Sequence, residues 1–439
     1  MDTTTPDIPF CKHTLGNGLQ VVVHEDHNCP IVAVNLWYHV GSKNEVPGRT
    51  GFAHLFEHLM FEGSAHHDSS YFEPVQQAGG NLNGSTNTDR TNYWEVVPSN
   101  ALELALWMES DRMGYLLPAL TQAKFKNQRD VVLNERRQNY ENRPYGLASF
   151  AILDALYPVD HAYSWPTIGS PADLQAASLD DVRAFFQTYY HPANASLAIA
   201  GDVDPEVALR LAREYFEEIP PGPRPADVSA APDRARAVRR VLDDRVELPR
   251  LYLAWLTPAM YAHGDADLDL LADVLAGGKA SRLYRRLVFD DRIATDVSAN
   301  QNSRELGSYF HVAATAVPGV GLDRIEAAVE EELERLVADG PSPDELARSV
   351  ALAESAFVSR LQTVGGFGGK SDQLNGYNVF LGEPGYFARD LDRYRRATAE
   401  SVRLAAVQHL VAHHRVTVSV VPAGQSQLGA RNSEPVVMR

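Results

Sequence analysis

The polar and apolar positions of the first 100 residues alternate in short runs that predict β-strands. In "HTLGNGLQVVVHED", Gly16-Asn17-Gly18 separates two apolar stretches, which predicts a hairpin. The segment "IVAVNLWYHV", residues 31–40, is apolar nearly throughout and predicts a buried strand. The segment "GGNLNGSTNTDRTNYWEVV" has β-branched and aromatic residues after a glycine pair, and it predicts a second hairpin at the edge of a sheet.

From about residue 100 the pattern takes the 3.6-residue period of helices. The segment "NALELALWMESDRMGYLL" predicts a helix with Asn100 as its N-cap, and "TQAKFKNQRDVVLNERRQNYEN" predicts another that runs to Pro144. "SLDDVRAFFQTYY" predicts a further capped helix. The strand "ASLAIAGDVD" closes this part of the chain.

A stretch rich in Pro and Ala, "EIPPGPRPADVSAAPDRA", follows and is typical of a linker. After it the order repeats, with two strands, an apolar helix, further strands and helices, and the terminal strand "RVTVSVVPAG". We therefore predict an α+β fold of two duplicated α/β-sandwich halves, each a mostly antiparallel sheet covered by helices. The predicted halves are residues 1–220 and 237–439, joined by a linker over 221–236.

Composition and charge narrow the possible partners. The chain has 439 residues, 44% hydrophobic and 22% charged, which is typical of a globular protein too long for one core. The formal net charge of −17 makes the surface repel phosphates, so we expect neither nucleic acid nor a membrane as partner. The basic cluster Arg234–Arg240 is interpreted as part of a solvated linker.

The cysteines and the N-terminus suggest a compartment. Cys11 and Cys29 are too few for a disulfide framework, so we expect free thiols, with a single bridge as the alternative. No basic, apolar leader precedes the first strand, and no uncharged apolar stretch reaches 18 residues. The expectation is a cytoplasmic chain, or a periplasmic one if a leader has been removed.

The segment "GFAHLFEHLMFEGS", residues 51–64, carries the candidate chemistry. On a helix, His54 and His58 lie on one face, where two neutral imidazoles can bind one zinc ion. Glu57 projects beside them, in the position of a general base. Three polar groups in an apolar run are costly unless they are paired or metal-bound. The pattern therefore favours a metal site over two satisfied histidines and a surface glutamate.

The corresponding helix of the second half lacks these polar residues. When "FAHLFEHLMFEGS" and "ADLDLLADVLAGG" are aligned on the glycine after each helix, the three polar positions fall on Leu268, Leu271 and Ala272. A third ligand for the first half must come from elsewhere. Glu135, in "DVVLNERRQ", is a candidate because Val131 and Val132 indicate that this stretch meets the core, although taken alone it would be an exposed glutamate.

His54-Leu-Phe-Glu57-His58 followed by Glu135 resembles the inverted zinc motif of the pitrilysin/insulinase family of metallopeptidases, the inverzincins. Further segments follow in family order along nearly the whole chain: "LGNGLQVVV", "GGNLNGSTNTDRTNYWEVVP", "FFQTYYHPANASLAIAGDVD" and "SRLYRRL". The length resembles the two-domain subgroup that includes mitochondrial processing peptidase subunits and their bacterial relatives.

The resemblance implies a zinc-dependent endopeptidase that hydrolyses peptides or unfolded segments. It implies that His54, His58 and Glu135 hold one Zn²⁺ per chain and that Glu57 activates water. Residues 1–220 would then be the zinc-bearing catalytic half, and 237–439 the homologous half without metal. The alternative is a non-catalytic scaffold or assembly subunit of the same family, which would have no need to keep a base beside three ligands.

The resemblance also implies how substrate binds, since family members hold a peptide as an added strand at a sheet edge. By position, the main-chain contacts fall to Asn83, Gly84 and Ser85. Asn83-Gly84 could equally be a simple turn dipeptide.

The sequence departs from the family pattern at two places. Gln128 stands where many relatives have a glutamate seven residues before the third ligand. Val288 and Thr295 stand where relatives often have an Arg and a Tyr that reach the substrate. The second departure implies a heterodimer in which a homologous metal-free subunit supplies that pair. "QTVGGFGGKSDQ", residues 362–373, lacks the spacing of a phosphate-binding loop, and we interpret it as a helix break.

Overall fold

The computed structural model of the chain describes residues 7–229 and 237–436. The strands are β1 (Cys11–Thr14), β2 (Gln20–Glu25), β3 (Ile31–Tyr38), β4 (Asn81–Thr86), β5 (Thr91–Pro98), β6 (Ala195–Gly201), β7 (Val238–Asp244), β8 (Arg250–Thr257), β9 (Ala294–Asn302), β10 (Ser308–Ala316), β11 (Val416–Pro422) and β12 (Glu434–Pro435). The helices are α1 (Phe52–Leu59), α2 (Phe72–Gln77), α3 (Leu102–Ala119), α4 (Gln122–Arg136), α5 (Ala148–Leu156), α6 (Pro171–Ala176), α7 (Leu179–Tyr189), α8 (Pro205–Phe216), α9 (Asp265–Ala276), α10 (Leu322–Asp339), α11 (Pro343–Arg360), α12 (Lys370–Leu381), α13 (Phe387–Arg395) and α14 (Ala399–His409). Two further segments, Arg137–Glu141 and Tyr284–Asp290, are π-helical.

The first sheet has the strand order β1-β2-β6-β3-β5-β4. Strands β2 and β6 pair in parallel, and every other neighbouring pair is antiparallel. The predicted hairpins are both present, as β1-β2 and as β4-β5, and β4 forms the edge of the sheet. All residues of β3 after Ile31 are buried, as its apolar sequence predicts.

The second sheet has the strand order β12-β7-β11-β8-β10-β9. Its pair β7 and β11 is parallel, and β11-β8, β8-β10 and β10-β9 are antiparallel. Strand for strand, β7, β11, β8, β10 and β9 repeat the order and directions of β2, β6, β3, β5 and β4. The predicted duplication of an α+β arrangement is therefore confirmed.

The described chain packs into two compact units that are built from separate stretches of sequence. The first unit comprises the described residues up to Asn134 together with Pro166–Val228 and Ala356–Arg389. The second comprises Glu135–Trp165 and the remaining described residues. The proposed linker lies partly outside the described residues, which omit 230–236, and the division at 221–236 stays a prediction.

Each unit takes one covering helix from the other half of the sequence. In the first unit, α12 packs on β3 and β6, where the Asn375 side chain donates a hydrogen bond of 2.7 Å to the Asn35 carbonyl. In the second unit, α5 packs on β8 and β11, and Ile152 shares a buried cluster with Val418. The opposite face of this second sheet is covered by α9, α10 and α14.

Local boundary predictions had mixed success. Helix α7 begins with the predicted cap, because Ser178 and Asp181 exchange backbone and side-chain hydrogen bonds. The Asn100 cap was wrong: Asn100 lies inside a short 3-10 turn, and α3 begins only after Ala101.

Three further predictions concern a helix break, the two cysteines and membrane-spanning helices. Residues 362–369 separate α11 from α12, which confirms the helix break. Cys11 and Cys29 are both free thiols. Within the described residues, every helix is too short or too polar to cross a membrane.

Candidate metal centre

The start of α1 is fixed by a carboxylate and a close backbone approach. Gly51 precedes the helix with a φ of +88°, and the buried Glu45 carboxylate accepts hydrogen bonds of 2.9 Å from the amides of Gly51 and Ala53. These bonds satisfy donors that a helix leaves unpaired at its first turn. A Cβ on Gly51 would lie 2.9 Å from the Gly169 Cα, so no side chain fits there.

The two faces of α1 differ sharply in burial. Its five apolar residues are buried, and they are Phe52, Ala53, Leu55, Phe56 and Leu59. Phe56 stacks on Phe185 of α7 with ring centroids 5.7 Å apart. His54, Glu57 and His58 are each only partly buried. The apolar face therefore anchors the helix, and the three polar side chains share the face that remains accessible.

Glu135 joins the two histidines of α1. One ligand atom from each of His54, His58 and Glu135 lies within 4.8 Å of the others. The two imidazole centroids are 4.8 Å apart, with their planes at 78°. Glu135 is the penultimate residue of α4, and all but the last two residues of that helix belong to the first unit. Helix α4 thus carries this carboxylate to the histidines of α1.

The surroundings of Glu135 explain its orientation. Val132 and Leu133 are buried, whereas Val131 is 39% exposed, so the expectation that Val131 faces the core was wrong. From the following π-helical segment, the Asn139 amide donates a hydrogen bond of 3.2 Å to Glu135 Oε1. Burial, with a smaller contribution from the Glu135 charge, raises the pKa of Tyr140.

The donor set suits zinc. Two imidazoles and one carboxylate are a known ligand set of catalytic zinc sites, which keep a further position for water. In the part of the chain that the structure describes, no other group of three His, Cys, Asp or Glu side chains brings its ligand atoms this close. Glu57 is not in the set, and it lies on the accessible face of α1 between the two histidines in sequence. The Glu57 carboxylate contributes, after burial and Tyr190, to raising the pKa of Tyr93.

A pocket of about 570 Å³ adjoins Glu57 and His58. The pocket is lined further by Phe61, Glu62, Asp68, Ser69, Ser70, Phe72, Asn83, Lys124 and Gln128. The sequence pattern did not predict this pocket, although Phe61 and Glu62 follow His58 within one helical turn and Gln128 departs from the family pattern. Their separation in sequence gave no sign that α4 and the segment after α1 meet.

The candidate substrate strand lies where the resemblance implied. Asn83, Gly84 and Ser85 belong to the edge strand β4, so interpreting Asn83-Gly84 as a turn was wrong. Asn83 is exposed, and Gly84 is buried against Phe61, whose ring a Cβ at Gly84 would approach to 3.2 Å. The Ser85 carbonyl accepts a hydrogen bond of 2.8 Å from Arg90. Their contact with substrate stays a prediction.

The positions that depart from the family pattern differ in their surroundings. The Gln128 amide donates a hydrogen bond to Glu62 Oε1 and lines the pocket. Val288 packs partly buried against the core of the second unit. Thr295 lies in β9, and its hydroxyl donates a bond of 3.0 Å to Asp296. Neither Val288 nor Thr295 carries the guanidinium or phenol that the family pattern has there.

Two family models match the chain. "Insulinase (Peptidase family M16)" matches residues 20–158, and "Peptidase M16 inactive domain" matches residues 176–352. Zinc protease PqqE from Helicobacter pylori is 31% identical over 361 residues, which are 80% of each chain. The chain belongs to the pitrilysin/insulinase family. Family membership also accounts for the two-unit fold.

A solved structure and a more distant relative agree with this assignment. The crystal structure of a protease from Helicobacter pylori has a TM-score of 0.86 and 27% identity, covering 95% of this chain and 100% of that one. A probable mitochondrial-processing peptidase subunit beta from Arabidopsis thaliana is 25% identical over 344 residues, which are 74% of this chain and 62% of that protein. Zinc proteases are thus among the relatives of this chain.

Proposed function

We propose that the chain is a zinc-dependent endopeptidase that hydrolyses peptides or unfolded segments. The observation that carries the proposal is the convergence of His54, His58 and Glu135 within 4.8 Å, with Glu57 beside them on the accessible face of α1. The family models and the zinc proteases among its relatives support it.

In this proposal each polar side chain has one role. His54, His58 and Glu135 would hold a zinc ion, which when bound acidifies water and polarises a peptide carbonyl. Glu57 accepts the proton of the attacking water and delivers it to the amine nitrogen of the leaving peptide. Asn139 keeps the Glu135 carboxylate in its binding orientation.

The edge strand β4 would hold the substrate. An edge strand has main-chain donors and acceptors without a strand partner on one side, and an extended peptide can pair with them. Asn83, Gly84 and Ser85 are the candidates for this pairing. The absence of a side chain at Gly84 lets β4 approach Phe61, next to the proposed metal ligands.

The proposal includes a second subunit. The family's Arg and Tyr are replaced here by Val288 and Thr295, so a homologous metal-free subunit would supply these substrate contacts. The relative from Arabidopsis thaliana is itself named as a subunit. Full peptidase activity of the purified chain as a monomer would count against the heterodimer.

The test of the enzyme is Glu57→Gln, with zinc content and peptide cleavage measured on the same preparation. We expect zinc to be retained and cleavage to fall by about 10²–10⁴-fold, the usual range for losing a general base. Glu73→Gln is the matched control, because Glu73 is an exposed carboxylate of α2 outside the pocket. Unchanged cleavage in Glu57→Gln would refute the role of Glu57. Zinc binding with no cleavage by the wild-type chain, with and without a partner, would favour the scaffold.

A further inference from the structure

A second pocket of the first unit adjoins the loop between α11 and α12, and we call it the loop pocket. Its volume of about 510 Å³ lies within the range of ligand pockets, roughly 300–1,000 Å³. Within the described residues, it shares no lining residue with the pocket beside Glu57 and His58, the metal-side pocket. Among the residues that line the loop pocket are Cys29, Asn81 of β4, Trp94 and Val96 of β5, and Gly365 of the loop.

The loop pocket has an aromatic wall with an exposed ring beside it. Trp94 lines the pocket and is 7% exposed, and the Phe367 ring stands edge-on to it with centroids 5.5 Å apart. Phe367 itself is 51% exposed. The buried Trp94 Nε1–H has no acceptor among the described residues, which is costly for a buried donor. The wall therefore offers apolar area and an unused hydrogen bond to a bound group.

Glycines on both sides of Phe367 leave its ring room to move. A Cβ on Gly365 would lie 2.5 Å from the Ala33 Cβ, so the base of the loop is pressed against β3. At the tip, Gly366 and Gly368 take left-handed φ angles of +80° and +76°, and the space where a Cβ would stand is open at both. The tip can therefore shift while the base stays on the sheet.

The charges at the loop pocket compensate each other. Of its described lining residues only Asp26 and Lys370 are charged, and Lys370 Nζ lies 2.5 Å from Asp26 Oδ2. A charged side chain that entered the pocket would lose its hydration without finding a free counter-charge. The pocket thus favours an uncharged, largely apolar group.

The loop pocket also adjoins the edge strand that is the candidate for holding substrate. In the pairing of β4 with β5, Asn81 lies opposite Val96 and Asn83 opposite Trp94, so these side chains share one face of the sheet. Tyr93 points to the other face, where its ring contacts a lining residue of the metal-side pocket. The side chains of a peptide paired to β4 would alternate between the two faces. Every second one would therefore point to the face that carries the loop pocket.

We infer that the loop pocket binds an aromatic side chain of the peptide substrate, on the face of the sheet opposite the metal-side pocket. The inference rests on the proposed peptidase function. The bound ring packs on Trp94 and Val96, and Phe367 closes over it. The segment GGFGG, residues 365–369, is then a flap as well as a break between two helices.

Protection of Cys29 tests occupancy of the pocket without relying on turnover. Cys29 is an exposed free thiol that lines the pocket, and Cys11→Ser leaves it as the one cysteine of the chain. The zinc-loaded full chain carrying Glu57→Gln and Cys11→Ser is saturated with peptides and treated with N-ethylmaleimide. The peptides have phenylalanine, alanine, lysine or aspartate at one position, which is moved along the sequence. At one position we expect phenylalanine to slow the alkylation, whereas the other three leave it near the rate of the free chain.

Affinities measured by fluorescence anisotropy of labelled peptides give the size of the preference. At the same position phenylalanine should bind about tenfold tighter than alanine, and lysine and aspartate no tighter than alanine. Phe367→Ala should reduce the tenfold preference to about threefold, because it removes one of the two rings. Phe289→Ala is the matched control, since Phe289 is an exposed phenylalanine outside the pocket, and it should leave the preference unchanged. Equal binding of phenylalanine and alanine at every position, or a preference that leaves Cys29 unprotected, would overturn the inference.

Cleavage by the wild-type chain separates this inference from the proposed function. Its cut sites in a mixture of unfolded proteins are mapped by mass spectrometry, and an aromatic residue is expected at one fixed distance from the cut. Cleavage without that preference would sink the inference and support the peptidase. Protection of Cys29 by aromatic peptides without any cleavage would sink the peptidase and leave the binding by the loop pocket intact.

Discussion

Helices α1 and α9 occupy the same place in the two sheets' topology, and only α1 carries candidate chemistry. Each begins after a glycine in the left-handed region, Gly51 with φ +88° and Gly264 with φ +89°. Aligned on these caps, His54, Glu57 and His58 correspond to Asp267, Leu270 and Leu271. This alignment differs by one residue from the alignment on the trailing glycines, because Gly63 follows Gly51 by 12 residues and Gly277 follows Gly264 by 13.

The difference lies in what covers the outer face of each helix. Leu270 and Leu271 are 1% and 0% exposed and belong to the core of the second unit, where α14 packs on α9. The corresponding Glu57 and His58 of α1 line an open pocket. In the second unit, α14 covers the apolar face of α9. In the first unit, the corresponding face of α1 borders a pocket, and this leaves room for the proposed metal ligands.

The largest expected effect comes from exchanging the matched residues His58 of α1 and Leu271 of α9. In His58→Leu we expect zinc content to fall from one per chain to near zero, because a catalytic site loses one of three protein ligands. The melting temperature without zinc should change little, since His58 is partly exposed. Metal analysis after dialysis and thermal melts by circular dichroism would measure both quantities.

The reciprocal exchange, Leu271→His, should do the opposite. It places a polar ring at a fully buried position and should lower the free energy of unfolding by about 2–4 kcal/mol, with no gain of zinc. Zinc retention by His58→Leu would refute the view that the polar residues of α1 distinguish it from α9 by binding metal.

A second comparison concerns the arginine that each unit holds between two carboxylates, buried in the first unit and partly exposed in the second. Arg112, 1% exposed, donates to Glu109 at 2.8 Å and to Glu95 at 3.3 Å. Arg393, 17% exposed, donates to Asp265 at 2.9 Å and to Asp390 at 2.7 Å.

Arg112→Met should cost about 3–5 kcal/mol of unfolding free energy, because it strands buried carboxylates. Arg393→Met should cost less, since Arg393 is itself 17% exposed and water can reach the carboxylates that it leaves. Urea denaturation of the two variants measures the difference. Equal losses would show that exposure does not decide the cost.

Asp269 of α9 makes the stability of the second unit depend on pH. The matched position of α1 is Phe56, which has no titratable group. Burial and then the Asp265 carboxylate raise the pKa of Asp269 from 3.8 to about 7. A raised pKa means that the folded state binds the proton more tightly, so this contribution is complete below pH 4 and is lost as pH rises through 7.

Asp269→Asn stays neutral, so its stability relative to wild type should rise with pH by about 2–4 kcal/mol between pH 4 and 8. Melts over this range test it, with the exposed Asp290→Asn as control. A stability difference between Asp269→Asn and wild type that does not change with pH would contradict the raised pKa of Asp269.

The smallest expected effect concerns the hydrogen bond that the Asn139 amide donates to Glu135. Asn139→Ala removes the hydrogen bond to Glu135 Oε1 and should weaken zinc binding by about tenfold, as is typical of outer-shell partners. Gln138→Ala, an exposed neighbour in the same π-helical segment, is the matched control. Competition with a chelator measures both affinities, and equal values would remove Asn139 from the site.

Much of the fold followed from local pattern. The hairpin at Gly16-Asn17-Gly18, the buried strand β3 and the capped helix α7 depend on neighbouring residues, and each was predicted correctly. The three residues that converge were singled out by helical spacing for His54 and His58, and by family resemblance for Glu135. Asn100 failed as a cap because a turn from Ser99 to Ala101 intervenes before the helix, and such turns leave little trace in composition.

The sequence by itself determined which residues could serve as zinc ligands and that two similar sheets would form, because periodicity and spacing are local properties. Only the tertiary structure decided that α5 covers the second sheet and α12 the first, since an amphipathic helix specifies an apolar face but not its partner. Contact between Gln128 and Glu62, 66 residues apart, was decided in the same way. The packing of α4 against the segment after α1 joins them, and both side chains line the pocket beside Glu57 and His58.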